Sequence, residues 1–86
     1  MASVEEVRAG IALANRQATE SVAALRQAGT ALEQAQSALA MVTQGSAQPD
    51  AEQANGLFAQ AARSITEAAQ SVSAGMSTAE GYAARL

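Results

Sequence analysis

Few side chains in this chain could take part in catalysis or metal binding, and their spacing does not group them into a site. The 86 residues include no histidine and no cysteine, which excludes the usual nucleophilic triads and the usual zinc and haem sites. Neighbouring carboxylates are the remaining candidates for acid–base work. Glu5 and Glu6 are adjacent, but they lie where a helix would begin and where its dipole favours negative charge. We therefore expect no enzyme activity, no catalytic residue, no cofactor and no metal.

The charge of the chain limits its possible partners. Its formal net charge is −3, and all of its basic residues are arginines. No basic stripe is present for nucleic acid or for anionic lipid, so we expect neither as a partner. No apolar run approaches the roughly 18–20 residues of a membrane-spanning helix. The first residues are acidic where a signal peptide would be basic, so we expect a cytoplasmic protein, or one secreted without a cleavable signal peptide.

Larger apolar residues recur at a spacing of seven in both halves of the chain. We call these residues the large row: Val4, Ile11, Ala18, Leu25, Leu32 and Leu39, then Phe58, Ile65, Val72, Ala79 and Leu86. This period predicts two long amphipathic helices. A short connection makes two helices antiparallel neighbours. The predicted fold is therefore all-α, an antiparallel two-helix hairpin with coiled-coil-like packing.

The ends of both helices carry recognisable signals. Ser3 and Glu6 fit a capping box, which starts helix 1 near Val4. Gly45 is suited to a left-handed position after a helix, and Pro49 is suited to the first turn of the next helix. We predict a single domain over residues 1–86, with helix 1 at about 4–42, a turn at about 43–48 and helix 2 at about 49–85. Either Ser46 or Gln48 would cap helix 2.

The residue three positions after each large one is mostly small, and this spacing suggests how the helices pair. We call these residues the small row: Val7, Ala14, Ser21, Ala28, Ala35 and Val42, then Ala54, Ala61, Ala68, Gly75 and Tyr82. Centring the turn between Ser46 and Ala47 sets large residues against small ones, for example Leu25 against Ala68. Such alternation keeps the volume of each layer even. The predicted seam contains Val7, Ile11, Leu25, Leu32, Leu39, Phe58, Ile65, Val72, Tyr82 and Leu86.

Several apolar residues fall outside this predicted seam. They are Leu13, Val22, Met41, Leu57 and Met76. A two-helix hairpin this long has no third layer to bury them, and we interpret them as a surface for another protein. Dimerisation would complete a four-helix bundle, with either a second copy or a different helical hairpin as the partner.

The layout resembles the WXG-type small helical-hairpin proteins of type VII secretion. Those proteins are similar in length, lack cysteine and pair as hairpins into four-helix dimers. Their turn carries Trp-x-Gly, where this chain has Thr43-Gln44-Gly45, so the glycine matches and the tryptophan does not. Their export signal is Tyr-x-x-x-Asp/Glu, whereas Tyr82 is followed four residues later by Leu86. The resemblance implies a protein-interaction module, and the missing acidic residue fits either a non-exported partner in a pair or a related adaptor that is not exported. The alternative is a self-assembling homodimeric coiled-coil protein with a structural or regulatory role.

Overall fold

Two long helices form an antiparallel hairpin in the computed structural model, which describes residues 2–45 and 48–86. Helix α1 spans Val4–Val42 and helix α2 spans Pro49–Ala84. The molecule measures 63 × 18 × 15 Å, close to the length of α1 at about 1.5 Å per residue. The all-helical hairpin fold is confirmed. The expected centre of the turn, between Ser46 and Ala47, lies outside the described residues.

Local hydrogen bonds explain where α1 begins and ends. The Ser3 hydroxyl oxygen accepts the Glu6 backbone N–H at 3.1 Å, which satisfies one of the donors left free at a helix start. At the other end, the Thr43 backbone N–H and hydroxyl both donate to the Leu39 carbonyl oxygen. Gly45 then adopts a φ of 81°, the left-handed conformation in which glycine carries no steric penalty. The roles predicted for Ser3 and Gly45 are thus confirmed.

Helix α2 begins at Pro49, as its fixed φ and missing N–H favour. Gln48 occupies the capping position, and its backbone carbonyl accepts the Ala51 N–H at 3.1 Å. Asp50 and Glu52 place negative charge in the first turn, where the helix dipole is favourable. The helix ends at Ala84, one residue before the predicted end.

The core is a single line of contact between the two helices. Val22 is the one buried residue within the described ranges, with 9% of its surface exposed. The large-row residues Ile11, Leu25, Leu32 and Leu39 of α1 are only half-buried. Those of α2, such as Phe58, Ile65 and Val72, are half-buried too. Most of the fold's apolar contact is therefore made along one seam, and each seam residue keeps part of its surface in solvent.

The seam pairs the helices differently from the sequence prediction. A Cβ added to Gly29 would lie 3.7 Å from Ile65 Cγ2, which sets these two residues opposite each other. In an antiparallel pair this places Leu25 level with Ala69, one position beyond the predicted Ala68. The seam residues that alternate with the large row lie four positions after each large-row residue in the sequence, whereas the prediction placed them three positions after it. We call them the contact row: Asn15, Val22, Gly29, Gln36 and Thr43 of α1, and Asn55, Ala62, Ala69, Met76 and Ala83 of α2, all buried or half-buried.

The size of two contact-row side chains explains this choice. Positions three and four after a given residue lie on either side of it on a helix, so either can complete a seam. In the middle of the hairpin the contact row includes Val22 and Met76, whose burial removes more apolar surface from water than burial of the alanines, serine and glycine that the small row has there. Even layer volume was therefore the wrong criterion, and burial of the larger side chains decides the register.

Candidate functional site

The small row lies beside the seam and forms one long side of the hairpin. We call this surface the alanine face, and it consists of the small-row residues of both helices. Ala28, Ala68 and Gly75 are exposed, whereas the prediction placed them inside the seam. Ala35 and Ala61 are half-buried at its edge. Between Val7 and Tyr82 the face carries no charged side chain.

The opposite side of the hairpin is polar and charged. Its rows are Glu5, Ala12, Thr19, Arg26, Glu33 and Ala40 of α1, and Glu52, Ala59, Thr66, Ser73 and Glu80 of α2. We call this surface the charged face. Arg26 lines one shallow groove with Thr66 and Ser73, and Glu33 lines another with Thr66. Because residues of both rows line the same grooves, both rows lie on one side of the seam. The two small rows therefore share the other side.

Charge is distributed unevenly between the two faces. The charged face holds four glutamates and one arginine, a formal charge of −3 that equals the net charge of the whole chain. The remaining four arginines and four acidic residues sum to zero charge, and two of them, Arg63 and Glu67, line the groove on this side that Glu33 and Thr66 also line. The hairpin thus has one strongly acidic long side and one uncharged long side.

The five residues predicted as a partner surface do not form one patch. Val22 and Met76 belong to the contact row of the seam and were wrongly assigned, because the seam is rotated toward them. Leu13 and Met41 are exposed on α1, directly opposite the seam and about 42 Å apart along the helix. Leu57 is exposed on α2, next to the alanine face.

Two predicted seam residues are also displaced from it. Tyr82 is 49% exposed and Leu86 is 38% exposed. Tyr82 is exposed because of the same rotation. Ala83, and not Tyr82, lies level with Ile11, so Tyr82 belongs to the alanine face. Leu86 lies beyond Ala84, the last residue of α2, so the helix no longer holds its side chain in line with the large row.

Two asparagines in the seam were missed by the sequence analysis. The Asn15 side-chain amide donates to the Met76 carbonyl oxygen and to the Glu80 carboxylate, each at 3.3 Å. The side-chain oxygen of Asn55 is buried without a hydrogen-bond partner. Their position in the contact row could have identified them as seam residues from the sequence. Because they are polar, they were not considered for an apolar seam. Polar residues at such positions fix the alignment of coiled-coil helices at a cost in stability.

The described residues include no group of side chains that could hold a metal ion. Within residues 2–45 and 48–86 there is no cluster of three or more acidic, histidine or cysteine ligands. Glu5 and Glu6 are exposed in the first turn of α1, where Glu6 takes part in the cap through its backbone. Neither of the two described helices combines the length and apolar character needed to cross a membrane.

Comparison with known proteins gives no match to any protein family, to any curated protein or to any solved structure.

Proposed function

We propose that this protein is a non-enzymatic protein–protein interaction module that packs against other helices to complete a four-helix bundle. The observation that carries this proposal is the large accessible surface of the hairpin, 6268 Å². A compact monomer of 8.7 kDa is expected to expose about 4,700 Å². Standard interfaces bury about 800 Å² per partner and obligate ones about 1,000–2,500 Å², so the excess of about 1,500 Å² per chain is enough surface for a partner to cover.

The thin core supports the same function. With one buried residue among those described, the hairpin has little apolar burial to offset the conformational entropy lost by ordering two long helices. Domains this small that lack disulfides or metals commonly gain the missing stability by oligomerisation. A partner that covers one long side of the hairpin would supply that burial.

The resemblance to type VII secretion proteins provides the specific form of this proposal. In that form the partner is a second helical hairpin, and this chain is one member of a pair. Tyr82, at the position of the tyrosine in the family's export signal, has an exposed side chain. The missing acidic residue four positions later favours the role of a non-exported partner.

A self-assembling homodimer with a structural or regulatory role is the second candidate. The uncharged alanine face favours it, because two copies can approach through this face without bringing charges together. A gene for a second hairpin beside this one would favour the paired form, and a solitary gene would favour the homodimer.

Thermal unfolding followed by circular dichroism over a hundredfold concentration range tests the proposed function. Because association stabilises the folded state by mass action, we expect one of two results. Either the melting temperature rises with concentration, or the isolated chain is poorly helical until a second hairpin is added. A fully helical monomer with a cooperative, concentration-independent transition would contradict the function.

A further inference from the structure

Two packings of the same hairpin are open to this sequence, and we infer that the chain moves between them. One is the observed seam, in which the large row alternates with the contact row. In the other, which we call the second packing, the large row alternates with the small row. Positions three and four after a given residue lie about 100° apart around a helix, so a turn of each helix by about 50° about its own axis exchanges the two packings.

The middle and the ends of the hairpin favour different packings. In the middle, Val22 is buried and Met76, which lines the same groove, is half-buried. Near the ends the larger side chains belong to the small row, with Val42 81% exposed and Tyr82 49% exposed. The second packing brings Val42 and Tyr82 against the opposite helix and turns Val22 and Met76 toward solvent. Because each packing buries some large apolar side chains and exposes others, the hydrophobic contributions to the two largely offset each other.

Two asparagines in the contact row act on this balance in opposite directions. The side-chain oxygen of Asn55 is buried with no hydrogen-bond partner among the described residues, which costs the observed seam the desolvation of that group. The second packing removes this cost, since it turns the contact row toward solvent. The Asn15 amide, in contrast, donates across the seam to the Met76 carbonyl oxygen and to the Glu80 carboxylate. The second packing gives up those two hydrogen bonds.

The thin seam makes the movement possible. Apart from Val22, each described residue of the large row and of the contact row keeps part of its surface in solvent, so little close packing has to be broken. Large-row residues such as Leu25 and Ile65 lie between the helices in both packings and keep much of the apolar contact while the neighbouring rows exchange. Two packings of one sequence that are close in free energy form a two-state element.

Disulfide formation between introduced cysteines distinguishes the packings, because the chain has no cysteine of its own. Ile65 lies opposite Gly29 in the observed seam and opposite Ala28 in the second packing. The double variant Gly29→Cys with Ile65→Cys therefore reports the observed seam, and Ala28→Cys with Ile65→Cys reports the second packing. Each is equilibrated in a glutathione buffer, and the intramolecular disulfide is measured by mass spectrometry. We expect both disulfides to form, and the ratio of their equilibrium constants measures the balance between the packings.

Alanine substitutions of the two asparagines should move this ratio in opposite directions. Asn55→Ala removes the unpaired oxygen from a row that is mostly alanine on α2, so we expect a shift of about fivefold or more toward the Gly29 disulfide. Asn15→Ala removes the two hydrogen bonds across the seam, so we expect a shift of similar size toward the Ala28 disulfide. Gln27→Ala is the matched control, since it removes an exposed amide from α1, and it should leave the ratio unchanged.

Fluorescence of Tyr82 provides a second readout that needs no change at Ile65, and it decides the question if the cysteine variants fail to fold. Tyr82 is the one tyrosine of the chain, and the second packing covers it. Acrylamide should therefore quench its fluorescence less in Asn15→Ala than in Asn55→Ala. An Ala28 disulfide that forms in none of these backgrounds would overturn the inference. So would asparagine variants that shift neither the disulfide ratio nor the quenching of Tyr82.

Discussion

At the scale of single residues, the seam depends on a few side chains that fill a narrow contact. Leu32 is half-buried between the helices and lies level with Ala62 when Gly29 faces Ile65. Because the seam is one layer thick, no further layer can absorb a poorly fitting or charged side chain. Substitutions in the large row therefore have greater consequences than the partial burial of each residue suggests.

Leu32→Glu is expected to destabilise the hairpin strongly. The change removes a packed side chain and places a carboxylate in the seam, which together cost about 2–4 kcal/mol. Circular dichroism should show lower helicity and a lower melting temperature. Ala23→Glu is the control, because Ala23 is exposed on the same helix and lies away from both the seam and the alanine face. Equal melting temperatures for the two variants would show that the seam is wrongly assigned.

Two glycines are expected to respond to alanine with opposite signs. At Gly29 the new methyl group would make an ordinary contact of 3.7 Å with Ile65, so Gly29→Ala should raise stability by about 1 kcal/mol through helix propensity. At Gly45 the φ of 81° strains any residue with a Cβ, so Gly45→Ala should lower stability by about 1 kcal/mol. Chemical denaturation measures both values. A loss of stability in Gly29→Ala would mean that the helices approach more closely there.

At the scale of the helices, their number, direction and ends and the large row of the seam were predictable from the sequence, whereas the row that alternates with the large row was not. The ends depend on local chemistry, such as the Ser3 cap and the glycine at position 45. The seam depends on which neighbour of each large residue turns inward, and the helical period allows either. Asn15 and Asn55 make the contact row look too polar for a seam. The small row, which is mostly alanine, gives layers of even volume and so looks better packed.

The Ser3 cap is expected to determine how firmly the first turn of α1 is held. Ser3→Ala removes the acceptor of the Glu6 backbone N–H and should cost about 1 kcal/mol. Amide hydrogen exchange at Glu6 should become faster. Ser21→Ala is the control, since the Ser21 hydroxyl donates to the Gln17 carbonyl within the helix, and its loss leaves no backbone group without a partner. Unchanged exchange at Glu6 in Ser3→Ala would contradict the assigned cap.

At the scale of the whole molecule, the hairpin exposes more surface than a chain of its size is expected to expose when folded alone. Its two long sides differ sharply, with the formal charge of −3 on one and none on the other. The candidate partner surface named from the sequence was dispersed, because Val22 and Met76 entered the seam. The alanine face emerged only once the seam was located, since the sequence alone assigned those residues to the interior.

Absolute mass by light scattering across a concentration series, with helicity recorded on the same samples, tests the central claim most directly. The claim is that this hairpin folds as part of an assembly. It predicts either a helical dimer of twice 8.7 kDa, with helicity that falls as dilution releases monomer, or a poorly helical chain that gains helix when a second hairpin is added. A particle of 8.7 kDa that stays fully helical at every concentration would contradict it.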